Sequence, residues 1–302
     1  MKKKVLVIYY SQTGQLKEIA QNLVQPFEKN QNYDLDYYNI QPKKEFPFPW
    51  DNESFFGVFP ESFAQLPAEI KAPPENILKT DYDLIILAYQ IWFLTPSIPI
   101  NSFMKSEYAE KLIKGKRVVT TIGCRNMWAK SQEKMKLLVK NVGGKLVGNV
   151  AFVDRHLNHI SVITIVHWMM GGKKNKKFGI LPKPGVSEKD IMNASEFGEL
   201  IIQADQNNNY NNLQNDIITA GGSNIKPYII FMDEKANKMF AIWSRFILKN
   251  TKNRKKKLKF FKIYLLTVIW IVSPIVYLIF LLTYPLRIRQ IRNKKTYYSE
   301  LN

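Results

Sequence analysis

The sequence predicts an α/β chain: a doubly wound parallel sheet covered by helices, followed by a helical tail that holds it at a membrane. Three observations carry this. Apolar β-branched runs alternate with helical patterns over residues 3–205. Short polar or aromatic loops follow the strand candidates. Near the C-terminus an uncharged run, 263–286, is flanked on both sides by basic residues.

Residues 4–10, Lys-Val-Leu-Val-Ile-Tyr-Tyr, have the pattern of a strand buried on both faces. A polar turn over 11–14 leads into 16–27, where Leu16, Ile19, Ala20, Leu23 and Phe27 recur at helical spacing. Residues 33–40 alternate as a second strand, and further strands are expected at 84–89, 117–122 and 146–153. Helices are expected near 100–104 and 131–142. A later helix opens at Ser187, where Ser-Glu-Lys-Asp supplies an N-cap and an acidic third position. Right-handed crossovers leave such an alternation few topologies.

Two stretches exceed a minimal domain of this kind. Residues 42–79 are rich in proline and aromatics, and 156–185 hold an apolar piece and a basic tip. Loops of such length are functional or disordered, and the aromatic content of the first argues against disorder. An asparagine-rich stretch over 206–215 reads as a linker. The expected division is therefore a catalytic domain over 1–206, a linker and helical region over 207–244, and an anchor over 245–302. Cutting after Gln206 is expected to leave the sheet and its loops whole.

The chain's 302 residues, 46% of them apolar, can bury a full core. Its single cysteine, Cys124, excludes a disulfide framework and a cysteine zinc site, and no metal is expected. The formal charge of +19 invites a nucleic-acid reading, but its location opposes one. Between Arg245 and Lys295 stand fourteen Lys or Arg and no Asp or Glu, on either side of the apolar run. That arrangement suits anionic lipid headgroups, at about 1 kcal/mol per basic residue near the surface. A nucleic-acid groove would interleave its cations with polar and aromatic residues across a folded face.

Ligands of open parallel sheets bind outside the carboxyl ends of the strands, where the strand order reverses. Three loops fall there. Ser11, Gln12, Thr13, Gly14, Gln15 and Leu16 put two hydroxyls, a flexible glycine and a run of amides at a helix N-terminus, which receives a phosphate without a basic side chain. The second loop holds Tyr89, Gln90, Ile91, Trp92 and Phe93; the third holds Gly123, Cys124, Arg125, Asn126 and Trp128. Both offer the aromatic faces and backbone donors that a flat, partly apolar ring needs.

With its Ser-x-Thr-Gly loop at 11–14, its tryptophan loop ahead of Pro96 and Pro99, and its Gly185–Ile191 opening of a helix, the chain resembles the flavodoxin superfamily over residues 3 to 205. The resemblance implies a flavodoxin-like, five-stranded sheet of order 2-1-3-4-5 holding FMN on the three loops. Leu16 departs from it, because flavodoxins commonly carry a hydroxyl residue there. A closer likeness, in the start Val-Ile-Tyr-Tyr-Ser-Gln-Thr-Gly-Gln, the segment Phe-Pro-Phe-Pro-Trp at 46–50 and Phe-Pro-Glu at 59–61, is to the dialkylresorcinol condensing enzymes. That family works beside a ketosynthase in pathways to dialkylresorcinols, including the flexirubin-type pigments of Bacteroidetes.

The family label says condensation, yet an acyl condensation needs an acylated cysteine with supporting groups. Cys124 has no acyl-transfer motif near it. A flavin fold instead suits oxidative aromatisation of a dialkylcyclohexane-1,3-dione to the resorcinol, with FMN taking a hydride. A membrane-bound NAD(P)H–quinone-type reductase, a non-redox cyclising enzyme and an electron carrier are the alternatives. For the base, His156, His159 and His167 all lie in one segment, and in a helix the first two share a face. Within 42–79, Asp51 is an alternative. The aromatics Phe46, Phe48, Trp50, Phe55, Phe56, Phe59 and Phe63 form either a wall for a lipidic substrate or a satellite core.

Run 263–286 spans about 36 Å as a helix, against a hydrocarbon core of about 30 Å. Pro274 lies within it and is expected to kink it. Both a single tilted span and a membrane-dipping hairpin fit. The basic flank over 245–262 places the catalytic domain on the cytoplasmic side of the inner membrane.

Overall fold

A computed structural model describes residues 2–301. Met1 and Asn302, the end residues of the expected domain and anchor, lie outside the described residues. In chain order the elements are β1 (Lys3–Tyr9), α1 (Gln15–Lys29), β2 (Tyr33–Asn39), α2 (Asn52–Gly57), α3 (Phe59–Phe63), α4 (Glu75–Lys79), β3 (Leu84–Trp92), β4 (Thr95–Pro96), α5 (Ile98–Met104), α6 (Glu107–Ile113), β5 (Arg117–Cys124), α7 (Ala129–Asn141) and β6 (Lys145–Val153). They continue with α8 (Asn158–Gly171), α9 (Glu188–Met192), α10 (Ala194–Gln206), α11 (Leu213–Thr219), α12 (Pro227–Lys249), α13 (Arg254–Thr267) and α14 (Ser273–Ser299).

The sheet runs β2-β1-β3-β5-β6, all parallel, with β4 folded back antiparallel on the end of β3. Without that hairpin strand the order is 2-1-3-4-5, the flavodoxin-like arrangement. Alternation along each strand assigns its residues to two layers. Leu6, Ile8, Ile85, Leu87 and Val118 face α5, α6 and α7. Val5, Val7, Ile86, Ala88 and Val119 face α1 and α10. On α1 the helical stripe read from the sequence is buried throughout, each large apolar side chain contributing about 1.5–3 kcal/mol. A Cβ at Gly198 of α10 would stand 2.0 Å from the carbonyl oxygen of Leu23, so the two helix backbones touch. Ser187 caps α9 as its sequence implies, its hydroxyl accepting the Asp190 N–H at 3.1 Å.

Four expectations are changed or refined. The third strand does not stop at Tyr89: it runs to Trp92 and turns through Phe93 and Leu94, both left-handed, at φ 49° and 64°. The stretch 42–79 is ordered as three short helices, with Pro42 and Ile70 paired across its neck. Its aromatics divide. Phe46, Trp50 and Phe55 gather near Trp92 and Phe93, whereas Phe59 stacks on Phe261 of α13 at 3.7 Å with Phe240 of α12 alongside.

Nor does the chain leave the sheet at Gln206. Leu213 and Ile217 of α11 pack against Gly148, Gly222 O accepts the Ala151 N–H at 2.6 Å, and Gln214 Oε1 accepts the Asn149 N–H at 2.8 Å. β6 is an edge strand, and an open edge and bare apolar face need cover. The fourth change concerns the tail. Residues 254–299 form one helix of 46 residues, long and apolar enough to cross a membrane, with 11% of its apolar window buried. Pro274 does not break it. The missing N–H and the ring's clash with the carbonyl four residues back, at Trp270, are absorbed by a wider π turn over Val268–Val272.

Candidate cofactor site

The parallel register sets Tyr9 beside Ala88 and Gln90 beside Gly123, which brings the loops after β1, β3 and β5 to one end of the sheet. β1 lies between β2 and β3, so the order reverses beside it. The first loop enters α1 through Gly14 at φ +87°, a conformation that only glycine adopts without strain, and nothing lies within 4 Å of where its Cβ would point. No side chain of Gly14 can cap the helix, and Ser11 Oγ accepts one amide, that of Lys17, at 3.3 Å. An open volume therefore faces the first two amides of the helix, bordered by Ser11 and Thr13.

Three other residues of this loop do structural work. Gln15 is buried, and its amide bonds both backbone groups of Val186, each at 3.0 Å. Leu16 belongs to the sheet core. Gln12 takes the Trp50 indole N–H at 3.1 Å and donates to Pro47 O at 2.8 Å, fastening the first insertion over the loop. The backbone N–H of Trp50 donates to Met169 O of α8 at 2.8 Å, so both insertions meet here.

In the second loop Trp92 is half-buried and stands edge-on to Tyr10, Phe46 and Trp50, at 6.0, 5.0 and 5.5 Å. Burial, with Glu45 nearby, pushes the Tyr10 hydroxyl up to about 12, so it stays neutral. Ser62 and Thr95 both donate to Trp92 O and hold the strained turn. Tyr89 points the other way. It is fully buried, its hydroxyl donating to Gln132 Oε1 at 2.7 Å, and cannot meet a ligand ring.

The third loop is polar rather than aromatic at its tip. Arg125 donates to Asn158 Oδ1 at 2.7 Å, and Asn126 Nδ2 donates to the same oxygen at 3.0 Å. Burial lowers the guanidinium pKa, with Asp154 opposing. Asp154 itself accepts from Ser161 Oγ and from the His156 N–H. The Cys124 thiol is pushed well up by burial, which removes it as a nucleophile at neutral pH. Trp128 is fully buried in the sheet core and offers no free face. It was expected to stack on the ring; it serves instead as the core plug behind the loop. Asp154 and Asn158 escape a reading of the sequence, because only the close of β6 against α8 brings them to the loop.

The three histidines do not converge. α8 begins at Asn158, so His156 lies in the loop before it and shares no helix face with His159. The His159 ring donates to Ile269 O of the long helix at 3.1 Å and lies against Trp270. His167 pairs with Asn175 Oδ1 at 2.9 Å, in the basic tip. None of these partners is on the three loops. Among the described residues no group of three or more His, Cys, Asp or Glu could hold a metal.

α12 closes the third strand–helix junction from outside. Asp233, fully buried, accepts the Lys130 N–H at 3.0 Å and the Asn237 amide at 2.8 Å. Burial pushes its carboxyl up to about 6 and lowers Lys134 to about 8. Between α12, α14, α3 and the start of α7 lies a cavity of about 630 Å³ whose rim carries Lys130, Lys235, Lys238, Arg287 and Lys294 against one carboxylate, Glu234.

FMN fits these residues. A phosphate has the first amides of a helix, an open glycine and two hydroxyls. A ring has the edge of Trp92, and Gln90 Nε2 and Asn126 Oδ1 are buried polar atoms without partners on the two loops that would flank it.

No protein-family model matches the sequence, and no curated protein does. Solved structures do. A protein of Bacteroides eggerthii proposed to be a flavoprotein is 24% identical over 51% of this chain and 91% of its own, with a TM-score of 0.40. A flavoprotein of Lactobacillus acidophilus, solved in complex with FMN, is 16% identical over 49% of this chain and 93% of its own, at 0.39. Oxidised flavodoxin 1 of Bacillus cereus is 14% identical over 65% of this chain and 95% of its own, at 0.35.

Proposed function

We propose that this chain is a membrane-associated FMN oxidoreductase that aromatises a dialkylcyclohexane-1,3-dione to a dialkylresorcinol. The observation that carries the cofactor is the open, glycine-entered N-terminus of α1 facing two loops with orphaned polar atoms. The substrate class rests on the sequence likeness to the dialkylresorcinol condensing enzymes, and on the aromatic wall of Phe46, Trp50, Phe55 and Trp92 beside the same loops. Aromatisation removes two electrons and two protons from the dione, and bound FMN supplies the electron acceptor.

The chain's own residues do the rest. Ser11, Thr13 and the first amides of α1 hold the phosphate. The wall excludes water and receives an alkyl chain. Arg125 presents a fixed positive charge where the acidic dione, on losing its ring proton, becomes an anion. The dione comes from a partner ketosynthase, and the site works on the cytoplasmic side of the inner membrane, where the basic flanks of the long helix meet anionic lipid.

The test is anaerobic mixing of detergent-purified, FMN-loaded protein with a 2,5-dialkylcyclohexane-1,3-dione. Bleaching of the flavin with one resorcinol formed per flavin is the expected result. Bleaching by NAD(P)H alone indicates a reductase, and resorcinol formed with the flavin still oxidised indicates a non-redox cyclisation.

A further inference from the structure

We propose that the 46-residue helix does not cross the membrane but lies in the plane of one leaflet, with both its ends on the side of the sheet domain. This rests on the reading that the chain binds a membrane. The helix touches its own domain at its start, along its length and at its end. Phe261 stacks on Phe59, and Gln214 donates to Ser299 O at 2.7 Å. Between them the His159 ring holds Ile269 O.

Along α14 the positions Ser273, Tyr277, Phe280, Arg287, Lys294 and Tyr298 are separated by four, three or seven residues and so share one side of the helix. Each of them meets α12. Tyr228 donates to Ser273 O at 2.9 Å and packs on Tyr277 at 4.8 Å, and Phe280 and Arg287 lie on Phe231. Glu234 pairs with Lys294 and accepts from Tyr298 at 3.1 Å.

The opposite face carries Leu266, Trp270, Ile275, Leu278, Leu282 and Leu286, all exposed. Ile271, Val272, Ile279 and Leu281 are exposed as well, so the apolar surface wraps the helix wherever the domain does not cover it. A crossing helix would put about 30 Å of hydrocarbon between its ends. Here both ends rest on the same domain. Charge agrees: nine cations over 245–262 and five over 287–295, with no acid among them, favour the same side of the bilayer and its anionic headgroups. Two ends held on one domain, with uncovered apolar surface between them, describe a helix sunk to the headgroup boundary.

The experiment uses the full chain in a Cys124→Ser background, carrying either Lys252→Cys or Arg292→Cys, produced in bacteria. Expected is a protein in the membrane fraction. Both cysteines should react with a membrane-impermeant maleimide in cytoplasm-out vesicles, and neither in intact spheroplasts. Reaction of either cysteine in spheroplasts overturns the in-plane helix while leaving membrane binding intact. Recovery of the full chain in the soluble fraction overturns both. As a second measurement, Leu278→Arg with Leu282→Arg should move the folded protein to the soluble fraction at least tenfold. Unchanged membrane recovery of that variant overturns the apolar surface of this helix as the membrane contact.

Discussion

Two strand–loop–helix units of this sheet share one topology and end differently. β1 passes through Gly14 into an α1 whose N-terminus faces open space. β5 passes through Arg125 and Trp128 into an α7 whose first turn already holds a carboxylate, Asp233 from α12. A helix N-terminus favours negative charge, and the protein supplies that charge at one junction and leaves it out at the other. The difference singles out one helix end as free of an internal anion, and on the proposed function that end takes a ligand's phosphate. The general pattern of strand, loop and helix does not distinguish them; the presence or absence of an internal anion does.

The largest effect on this contrast comes from removing the closing element altogether. Truncation after Gln206 takes away α11, which covers β6, and α12 with Asp233. The fragment should lose cooperative thermal unfolding and aggregate, because the edge strand and the apolar side chains of the sheet core that meet Ile225, Ile230 and Tyr298 become exposed. A soluble, cooperatively melting fragment would show that the closing helices are dispensable to the fold.

Gly14→Val should come next. The left-handed backbone costs a non-glycine residue about 1–2 kcal/mol, and the added branch enters the volume that a phosphate would occupy. FMN affinity should fall at least tenfold by fluorescence titration, while the α7 junction and the far-UV spectrum stay as they were. Equal FMN affinity in this variant would move the phosphate elsewhere.

Asp233→Asn keeps an acceptor for the Lys130 N–H and removes the charge. Because burial raises the carboxyl to about 6, the folded chain binds a proton that the unfolded chain has released. The stability linked to Asp233 is therefore fully present below the usual carboxylate value and is lost as pH rises towards 6. Urea melts at pH 4 and pH 7 should show this fall in the parent, at most about 3 kcal/mol, and not in the variant. FMN affinity should be unaffected by the change.

The smallest effect is expected at Arg125→Gln. Loss of a positive charge beside the ring should lower the flavin's midpoint potential by about 20–40 mV, the equivalent of about 1–2 kcal/mol for two electrons. Binding should change less than threefold. An unchanged potential would place Arg125 with Asn158 as a purely structural pair.

What the sequence disclosed follows from how local each signal is. The buried stripe of α1, the run of β1 and the Ser187 cap depend on neighbours a few residues away, and all are as read. Tyr89 and Trp128 were legible as aromatics at strand ends, but the direction of each side chain depends on how far the strand continues; both turn to the core. The histidines depended on where α8 starts, and two residues of difference dispersed them. α11 was hidden because the asparagines around it dominate the composition, although Leu213 and Ile217 already stand four apart. Asp233, more than a hundred residues beyond the amide it accepts, has no local signature at all.

The amide of Gln15 behaves as a borrowed peptide group: it pairs with both backbone groups of Val186 as a neighbouring strand would, across a sequence separation of 171. Lys3 and Tyr33 likewise reach Asp205. A nascent chain that has made β1, α1 and the aromatic insertion thus still lacks the groups that pin its first loop. Such non-local closure comes late in folding. During synthesis the first loop therefore gains its Val186 partner only after β6 and α8 have been made, so its final shape belongs to the later part of translation rather than its beginning.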